Sequence, residues 1–329
     1  MKKINRRKFA RQAAIGSLGA TIAAPLLSNA KNHTQAEVPV GLIGMDTSHS
    51  VAFTKYINNG DNGFRVTTAF TTVSKDIPSS YERVDQFTNQ LREDGVKVVD
   101  TIEQVLDNTE CILLETNDGR LHLEQAKKVI KAKKKVFIDK PVAASFEDVS
   151  AIFELANHNN VPMFSSSGTR YMSQAQKVRN GLVGQVHGAD TFSPVSYEPN
   201  HSDLFWYGIH GVELLFTVLK SGCQRVRRFT STQYDTLVGE WEGGKIGTFR
   251  GILHGDKGYG GQVFGEDGLA YLGSWEGYDP LVESILGFFR TGQSPIPSRE
   301  TLEIYAFMEA GRLSSERNGD WVELNSLEF

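Results

Sequence analysis

The chain has 329 residues, of which 40% are hydrophobic and 22% are charged, and its formal net charge is −4 at pH 7. This length is typical of two domains, since a domain usually holds about 100–200 residues. The near-neutral charge excludes a chain built to bind a polyanion, so we expect no nucleic-acid partner. The two cysteines, Cys111 and Cys223, do not make a disulfide framework.

The N-terminal segment differs in kind from the rest of the chain. Basic residues crowd its start, a weakly apolar stretch rich in Ala and Gly follows over residues 13–27, and Ala30 ends a run of small residues typical of a cleavage site. The pair Arg6-Arg7 is similar to the twin-arginine export motif. We predict a signal peptide over residues 1–30 and a linker over 31–37, with export to the periplasm by the twin-arginine machinery and no stable membrane anchor. A general secretory signal is the alternative.

Strands and helices alternate in the next part of the chain. Apolar and β-branched runs typical of strands cover residues 38–44, 64–71, 97–99, 110–116, 136–138 and 161–165. Segments with helical spacing of apolar residues cover 50–58, 79–94, 101–106, 121–132 and 146–157. This alternation predicts an α/β domain, a doubly wound parallel sheet of Rossmann type, over residues 38–160.

The pattern changes in the second half. Polar and apolar residues alternate over 186–197 and 225–270, with breaks at Gly pairs, which predicts an antiparallel sheet. Two helices are predicted after it, over 280–290 and 299–316. We therefore expect an α+β domain with a large, mostly antiparallel sheet over residues 161–329, carrying the substrate site and the contacts between subunits.

The end of the first strand is unusual for a nucleotide site. In open parallel sheets the ligand binds beyond the carboxyl ends of the strands, and a dinucleotide fingerprint would place glycines at 44, 46 and 49. Gly44 is present, but Asp46 and His49 replace the other two. The Asp46 carboxylate would oppose a diphosphate at the helix N-terminus, whereas the hydroxyls of Thr47 and Ser48 could bind phosphate oxygens. A capped turn that satisfies Asp46 with backbone amides is the alternative.

The second strand ends at Thr71, without the acidic residue that commonly holds the ribose of NAD. Ser74 and Lys75 follow and suit a 2′-phosphate, which tilts the expected cofactor from NAD toward NADP. A solvated loop lysine is the alternative.

Later strand ends carry a more specific pattern. Thr116-Asn117, then His122, then Asp139-Lys140-Pro141 resemble, in this order, the Gfo/Idh/MocA oxidoreductase family, with Asp139 in place of the usual Glu. Further along, the segment from Trp206 to His210 resembles the family's Asp-x-Gly-x-His helix, with Trp206 in place of Asp. Asp203, three residues earlier, could replace that carboxylate.

The resemblance implies an enzyme similar to glucose-fructose oxidoreductase, which moves hydride between NAD(P) and a sugar, polyol or glycoside and keeps its cofactor tightly bound. Lys140 and His210 are expected to be catalytic, through proton transfer. The expected cofactor-binding residues are Gly44, Asp46, Thr47, Ser48, His49, Thr71, Thr116, Asn117, His122, Asp139 and Lys140. The expected substrate-binding residues are Arg170, Tyr171, Asp203, Trp206, Tyr207 and His210.

Two other functions stay open. A metal-assisted lyase or hydrolase would draw on ligand types at His49, His201, Asp203, His210 and Glu213, although their spacing specifies no metal site. A sugar-binding protein without chemistry would explain the degenerate glycine loop. Members of the family usually pair through the large sheet, so we expect a homodimer or homotetramer.

Overall fold

The computed structural model describes residues 36–327; the predicted signal peptide and most of the linker lie outside them. The strands of the first half are β1 (Val38–Ile43), β2 (Phe64–Phe70), β3 (Lys97–Val98), β4 (Cys111–Leu114), β5 (Lys135–Ile138) and β6 (Met163–Phe164). The helices are α1 (Ser48–Asn59), α2 (Pro78–Tyr81), α3 (Val84–Glu93), α4 (Ile102–Asp107), α5 (His122–Lys131) and α6 (Phe146–His158).

These strands form one parallel sheet of six strands in the order β3-β2-β1-β4-β5-β6. The chain reverses its direction of winding between β1 and β4, so a crevice opens there at the carboxyl ends of the strands. Apolar residues of α4, α5 and α6 pack on one face of the sheet, and residues of α1 and α3 pack on the other. The predicted doubly wound sheet of Rossmann type is confirmed.

Local signals account for several helix starts. Thr101 and Gln104 form a reciprocal capping box at α4, and the Ser145 hydroxyl accepts a hydrogen bond from the Asp148 amide at α6. The helix predicted over 79–94 is instead divided into α2 and α3, and serines of α2 form hydrogen bonds with the distant residues Asp46 and Asn117. The separate α2 brings serines to the strand ends.

In the second half, the strands are β7 (Val186–Pro194), β8 (Cys223–Thr230), β9 (Tyr234–Trp241), β10 (Ile246–Ile252), β11 (Gly260–Gly265), β12 (Gly268–Leu272) and β13 (Val322–Glu323). The helices are α7 (Ser173–Arg179), α8 (Ile209–Leu219), α9 (Asp279–Thr291) and α10 (Ser298–Glu316). The seven strands pair in the order β12-β11-β7-β10-β9-β8-β13, all antiparallel except β7 with β10. The predicted α+β class with a mostly antiparallel sheet is confirmed.

The two halves are less separate than the predicted boundary at residue 160 implies. Strand β6 pairs with β5 in the first sheet, so that sheet extends past this boundary. Helix α9 returns from the C-terminal half to the first sheet, where Phe288 packs on Phe164 and Phe289 packs on Phe64. Within residues 36–327, no helix is both long and apolar enough to cross a bilayer.

Candidate active site

A cavity of about 270 Å³ lies between the carboxyl ends of the parallel strands and the start of α8. The predicted site residues that line it are Thr47, Ser48, His49, Asn117, Lys140, Trp206, Tyr207 and His210. These residues lie up to about 160 positions apart in the sequence. The fold therefore brings the site residues predicted from the first domain together with those predicted from the second. Both predicted catalytic residues face the same space.

Lys140 lies two residues after the end of β5 and precedes Pro141 in a cis peptide bond. Its side chain is half-buried and lines the first-domain wall of the cavity. Pro141 is buried beside it, so the chain leaves the strand through a well-packed turn. The strand end therefore presents the Lys140 ammonium to the cavity.

His210 lies in the first turn of α8, on the opposite wall. Its Nδ1 lies 2.7 Å from the Ser167 hydroxyl, which leaves Nε2 for a ligand. Burial lowers the pKa of His210 well below its usual range, and the charge of Lys140 lowers the pKa further. The imidazole is therefore neutral near pH 7 and can accept a proton.

The loop between β1 and α1 contains a buried carboxylate, that of Asp46. Gly44 has φ +100°, and a Cβ there would meet the Thr116 nitrogen at 2.2 Å, so only glycine fits. The buried Asp46 carboxylate accepts hydrogen bonds from the Asn117 amide (3.0 Å) and the Ser80 hydroxyl (2.5 Å). Burial raises the pKa of Asp46 to about 6. The predicted alternative, a capped turn in which backbone amides satisfy Asp46, is met in part, because one donor is a backbone amide and the other is a side-chain hydroxyl.

The loop after β2 folds over the same strand ends. Thr71 accepts a hydrogen bond from the Met45 amide (3.1 Å), and Ser79 accepts one from the Asn117 side chain (2.8 Å). Ser74 is buried and donates to Asp118 (2.5 Å), while Lys75 is exposed. The Ser74 hydroxyl is thus engaged inside the protein. Of the two residues that favoured a 2′-phosphate, only Lys75 is exposed.

Several predicted site residues lie outside the cavity. His122 is fully buried, with its ring nitrogens 2.7 Å from the Thr116 carbonyl and 3.1 Å from the Val142 carbonyl, and it ties β4 to the turn after β5. The Thr116 side chain is itself buried beneath the surface. Neither side chain lines the cavity, so their contact with a cofactor stays a prediction.

The substrate-binding residues predicted from the second half divide in the same way. Arg170 is buried in ion pairs with Glu213 and Glu300, both at 2.7 Å. Tyr171 shares a hydrogen bond with Ser284 (2.8 Å), and Asp203 pairs with Arg228 (2.5 Å). Arg170, Tyr171 and Asp203 therefore hold elements together, and Asp203 does not supply the missing family carboxylate to the cavity.

Aromatic residues that the sequence motifs missed complete the site. Tyr259, Trp275 and Tyr278 line the cavity, and the Tyr259 hydroxyl donates to the Tyr207 hydroxyl (3.1 Å). Gly168 lets the Trp275 ring approach closely, since a Cβ there would lie 2.3 Å from the ring. Aromatics clustered between glycines in residues 258–278 were the available signal.

Two buried carboxylates lie beneath the first-domain wall. His49 Nδ1 lies 2.7 Å from Asp139 Oδ2, and Glu115 is fully buried nearby at the end of β4. Burial raises the pKa of Glu115 well above its usual range, and the charge of Asp139 raises it further. Of this group, only His49 lines the cavity, and Asp139 lies behind it, so the predicted contact of Asp139 with a cofactor stays a prediction.

Residues 38–166 match the model of the oxidoreductase family with the NAD-binding Rossmann fold, Gfo/Idh/MocA. No curated protein sequence matches the chain. A probable dehydrogenase from Thermotoga maritima is similar in structure, with a TM-score of 0.74 at 16% identity over 88% of this chain and 100% of that one. Scyllo-inositol dehydrogenase from Lactobacillus casei, solved with NAD(H) and scyllo-inositol, has a TM-score of 0.67 at 13% identity over 88% and 99%.

A further neighbour is an oxidoreductase from Agrobacterium radiobacter in complex with NAD⁺, L-tartaric acid and magnesium, with a TM-score of 0.68 at 14% identity over 89% of this chain and 100% of that one. At such identities the likeness shows the fold alone. The family model matches the residues that form the parallel sheet, so residues 38–166 are similar to the NAD-binding Rossmann domain of the Gfo/Idh/MocA oxidoreductase family.

Proposed function

We propose that the chain is an enzyme that acts on a hydroxyl group of a sugar, polyol or glycoside, with Lys140 and His210 as its proton-transferring pair. One observation carries this proposal: the two side chains line one cavity from opposite walls, and burial and charge keep His210 neutral. A neutral imidazole facing an ammonium is suited to accept a hydroxyl proton while the lysine stabilises the oxygen.

The rest of the cavity supports a polyhydroxylated substrate. Trp206, Tyr207, Tyr259 and Trp275 offer ring faces and edges of the kind that pack on a sugar. Polar groups among them supply hydrogen bonds that would fix its orientation, such as Ser196. The neighbours solved with scyllo-inositol and with L-tartaric acid hold compounds of the same hydroxyl-rich class.

The similarity to this family favours oxidation or reduction at a CH–OH carbon, in which NAD or NADP would exchange hydride with the substrate. The loop at the diphosphate position does not fit that group in the described arrangement. Asp46 places a carboxylate there and accepts a hydrogen bond from the Asn117 backbone amide. The Ser79 and Ser80 hydroxyls form hydrogen bonds with Asn117 and Asp46 and so lie at the same strand ends. Two anions at one helix N-terminus repel each other. We therefore assign the chain's residues to proton transfer and substrate binding only.

The cofactor is tested directly. Protein purified after folding in the cytoplasm is denatured with acid, and the released small molecules are measured by ultraviolet absorbance and mass spectrometry. Stoichiometric nucleotide would support an oxidoreductase that retains NAD or NADP, and it would show that Asp46 is tolerated beside the diphosphate. No released nucleotide, together with no binding on titration with NAD(H) and NADP(H), favours proton-transfer chemistry without it.

The catalytic pair is tested with Lys140→Met and His210→Asn. The wild type is incubated with a panel of sugars, polyols and glycosides, with and without nucleotide, and products are measured by mass spectrometry. On the substrate that is converted, each variant is expected to lose about 10²–10⁴-fold in kcat/KM. The exposed controls Lys131→Met and His254→Asn should keep wild-type rates. Full activity in both catalytic variants would contradict the assignment.

A metal-assisted lyase or hydrolase is the second candidate. The buried group of His49, Glu115 and Asp139 favours it, because these are ligand types in close proximity.

A further inference from the structure

A compact group of potential ligands lies at the ends of two neighbouring parallel strands. Glu115 follows β4 and Asp139 follows β5, while His49 comes from the first turn of α1. One nitrogen of His49 and one oxygen of each carboxylate all lie within 4.8 Å of one another. Because β4 and β5 pair in parallel, their carboxyl ends bring the two acids to the same place.

The carboxylates of this group lack the partners that burial demands. Glu115 is fully buried, and neither of its carboxylate oxygens has a hydrogen-bond partner among the described residues. Asp139 is 2% exposed, and its Oδ1 also has no partner in the described part of the chain. Unpaired carboxylate oxygens in a protein interior are costly, so a further group is expected to satisfy them. Both acids lie within 4.8 Å of a ring nitrogen of His49, so a group that satisfies both would bind beside this imidazole.

We propose that His49, Glu115 and Asp139 bind a divalent cation of the Zn²⁺ class. An imidazole nitrogen with two carboxylate oxygens is a ligand set that such ions accept, and catalytic sites commonly use three protein ligands and leave one position open. The cation would neutralise the two acids and occupy the partnerless oxygens. This site goes beyond the proposed function, since it requires neither a nucleotide nor a particular substrate.

The surroundings of His49 suit ligation. Its Nδ1 faces Asp139 at 2.7 Å, and its Nε2 lies 3.0 Å from the Tyr278 hydroxyl. A second hydrogen bond of this kind orients a metal-binding imidazole. The ring also stacks on Phe53 at 5.4 Å and meets the edge of Tyr278 at 4.7 Å, so its position is well supported.

The open coordination position would face the cavity. His49 lines the cavity together with Lys140, the neighbour of Asp139 in sequence. A cation at this position can polarise a substrate oxygen or lower the pKa of a bound water. A hydroxyl-bearing substrate would then meet the cation on the same side as the Lys140 ammonium, opposite His210.

The test measures Zn²⁺ binding without reference to activity. The full chain is stripped with a chelator, and its binding of Zn²⁺ is followed by titration calorimetry, metal analysis after gel filtration and thermal unfolding. We expect about one bound equivalent and a Tm that rises by several degrees with saturating Zn²⁺. Mn²⁺ and Mg²⁺ are measured in parallel, and weaker binding of Mg²⁺ is expected because it does not favour imidazole.

The variants Glu115→Gln and Asp139→Asn each remove one ligand charge with little change in shape. Each is expected to weaken Zn²⁺ binding by about 100-fold or more and to abolish the rise in Tm. Glu110 is exposed and lies just before β4, the strand that Glu115 follows. Glu110→Gln is therefore the matched control and should bind Zn²⁺ like the wild type.

Absence of Zn²⁺ and Mn²⁺ binding in the folded wild type would overturn the proposal. So would undiminished binding in folded Glu115→Gln or, should that variant not fold, in Asp139→Asn. The proposed function is judged separately. Turnover by metal-free protein that is lost in Lys140→Met would support the proposed function even where Zn²⁺ binding is absent and the cation site is overturned.

Discussion

At the scale of single residues, Asp46 determines the contacts that the loop between β1 and α1 makes with other strand ends. It stands where a dinucleotide fingerprint has glycine, and its buried carboxylate joins the loop after β1 to those after β2 and β4 through Ser80 and Asn117. A carboxylate at this position takes hydrogen bonds that a phosphate would otherwise receive. One residue thus changes what the strand ends can bind.

Asp46→Asn should alter the dependence of stability on pH. Burial raises the pKa of Asp46 from 3.8 to about 6, and the charge of Asp118 adds to this. The folded state therefore holds this proton more tightly than the unfolded state, so its contribution is complete below about pH 4 and is lost as the pH rises through about 6. Relative to wild type, the free energy of unfolding of Asp46→Asn should rise by on the order of 2–3 kcal/mol between pH 4 and 7.

Urea denaturation at a series of pH values measures this difference. Asp61→Asn, at an exposed turn, is the control and should follow the wild type. Parallel curves for wild type and Asp46→Asn would show that the buried proton is absent.

At the scale of elements, an ion-pair network positions the start of α8. Arg170 of the segment after β6 pairs with Glu213 of α8 and with Glu300 of α10, and Arg179 of α7 pairs with Glu300 as well. Glu213 also accepts a hydrogen bond from the amide of Ser167, whose hydroxyl contacts His210. The network therefore fixes the orientation of the proposed catalytic histidine.

Arg170→Met should be strongly destabilising. The variant keeps the packing of the side-chain stem but leaves the buried Glu213 and Glu300 without their shared cation. Removing one partner of a buried pair costs about 3–5 kcal/mol. Chemical denaturation provides the measurement, with Arg65→Met as the control, because the exposed pair of Arg65 and Glu37 should contribute about 0–1 kcal/mol. A loss below that of the control pair would refute the structural role given to Arg170.

At the scale of the whole molecule, the cavity depends on the return of the chain to its first sheet. Helix α9 packs its aromatic residues on that sheet, and the segment just before it carries Trp275 and Tyr278 into the cavity. The site therefore requires both sheets in one folded unit. The same architecture leaves the outer face of the second sheet uncovered.

That outer face should form the contact between subunits of the proposed homodimer or homotetramer. Ile246, Phe264 and Leu269 lie in register in one row across the sheet and are 44%, 38% and 56% exposed. Apolar rows of this kind favour burial against a second copy. Light scattering coupled to gel filtration should report an oligomer for the wild type and a monomer for the double variant Ile246→Glu, Phe264→Glu. The exposed Lys257→Glu is the control, and a monomeric wild type would contradict the proposal.

Local sequence patterns were sufficient to predict the parallel sheet, the mixed second domain, the Gly44 turn and the placement of Lys140 at a strand end. These features depend on local periodicity and on turn chemistry, which a short segment carries within itself. His210 was found because its helix resembles a known motif. The position of α9 and the division of the predicted helix over residues 79–94 were not predicted, since they depend on contacts with distant segments.

Long-range contacts of the folded chain determine which polar residues face the cavity and which pair inside the protein. Arg170 and Asp203 were expected at the substrate, yet Glu213, Glu300 and Arg228 neutralise them through contacts between residues far apart in the chain. The grouping of Glu115 with Asp139 and His49 arises in the same way, from the pairing of strands. Charge pairing depends on distance in space, and periodicity along the chain carries no record of that distance.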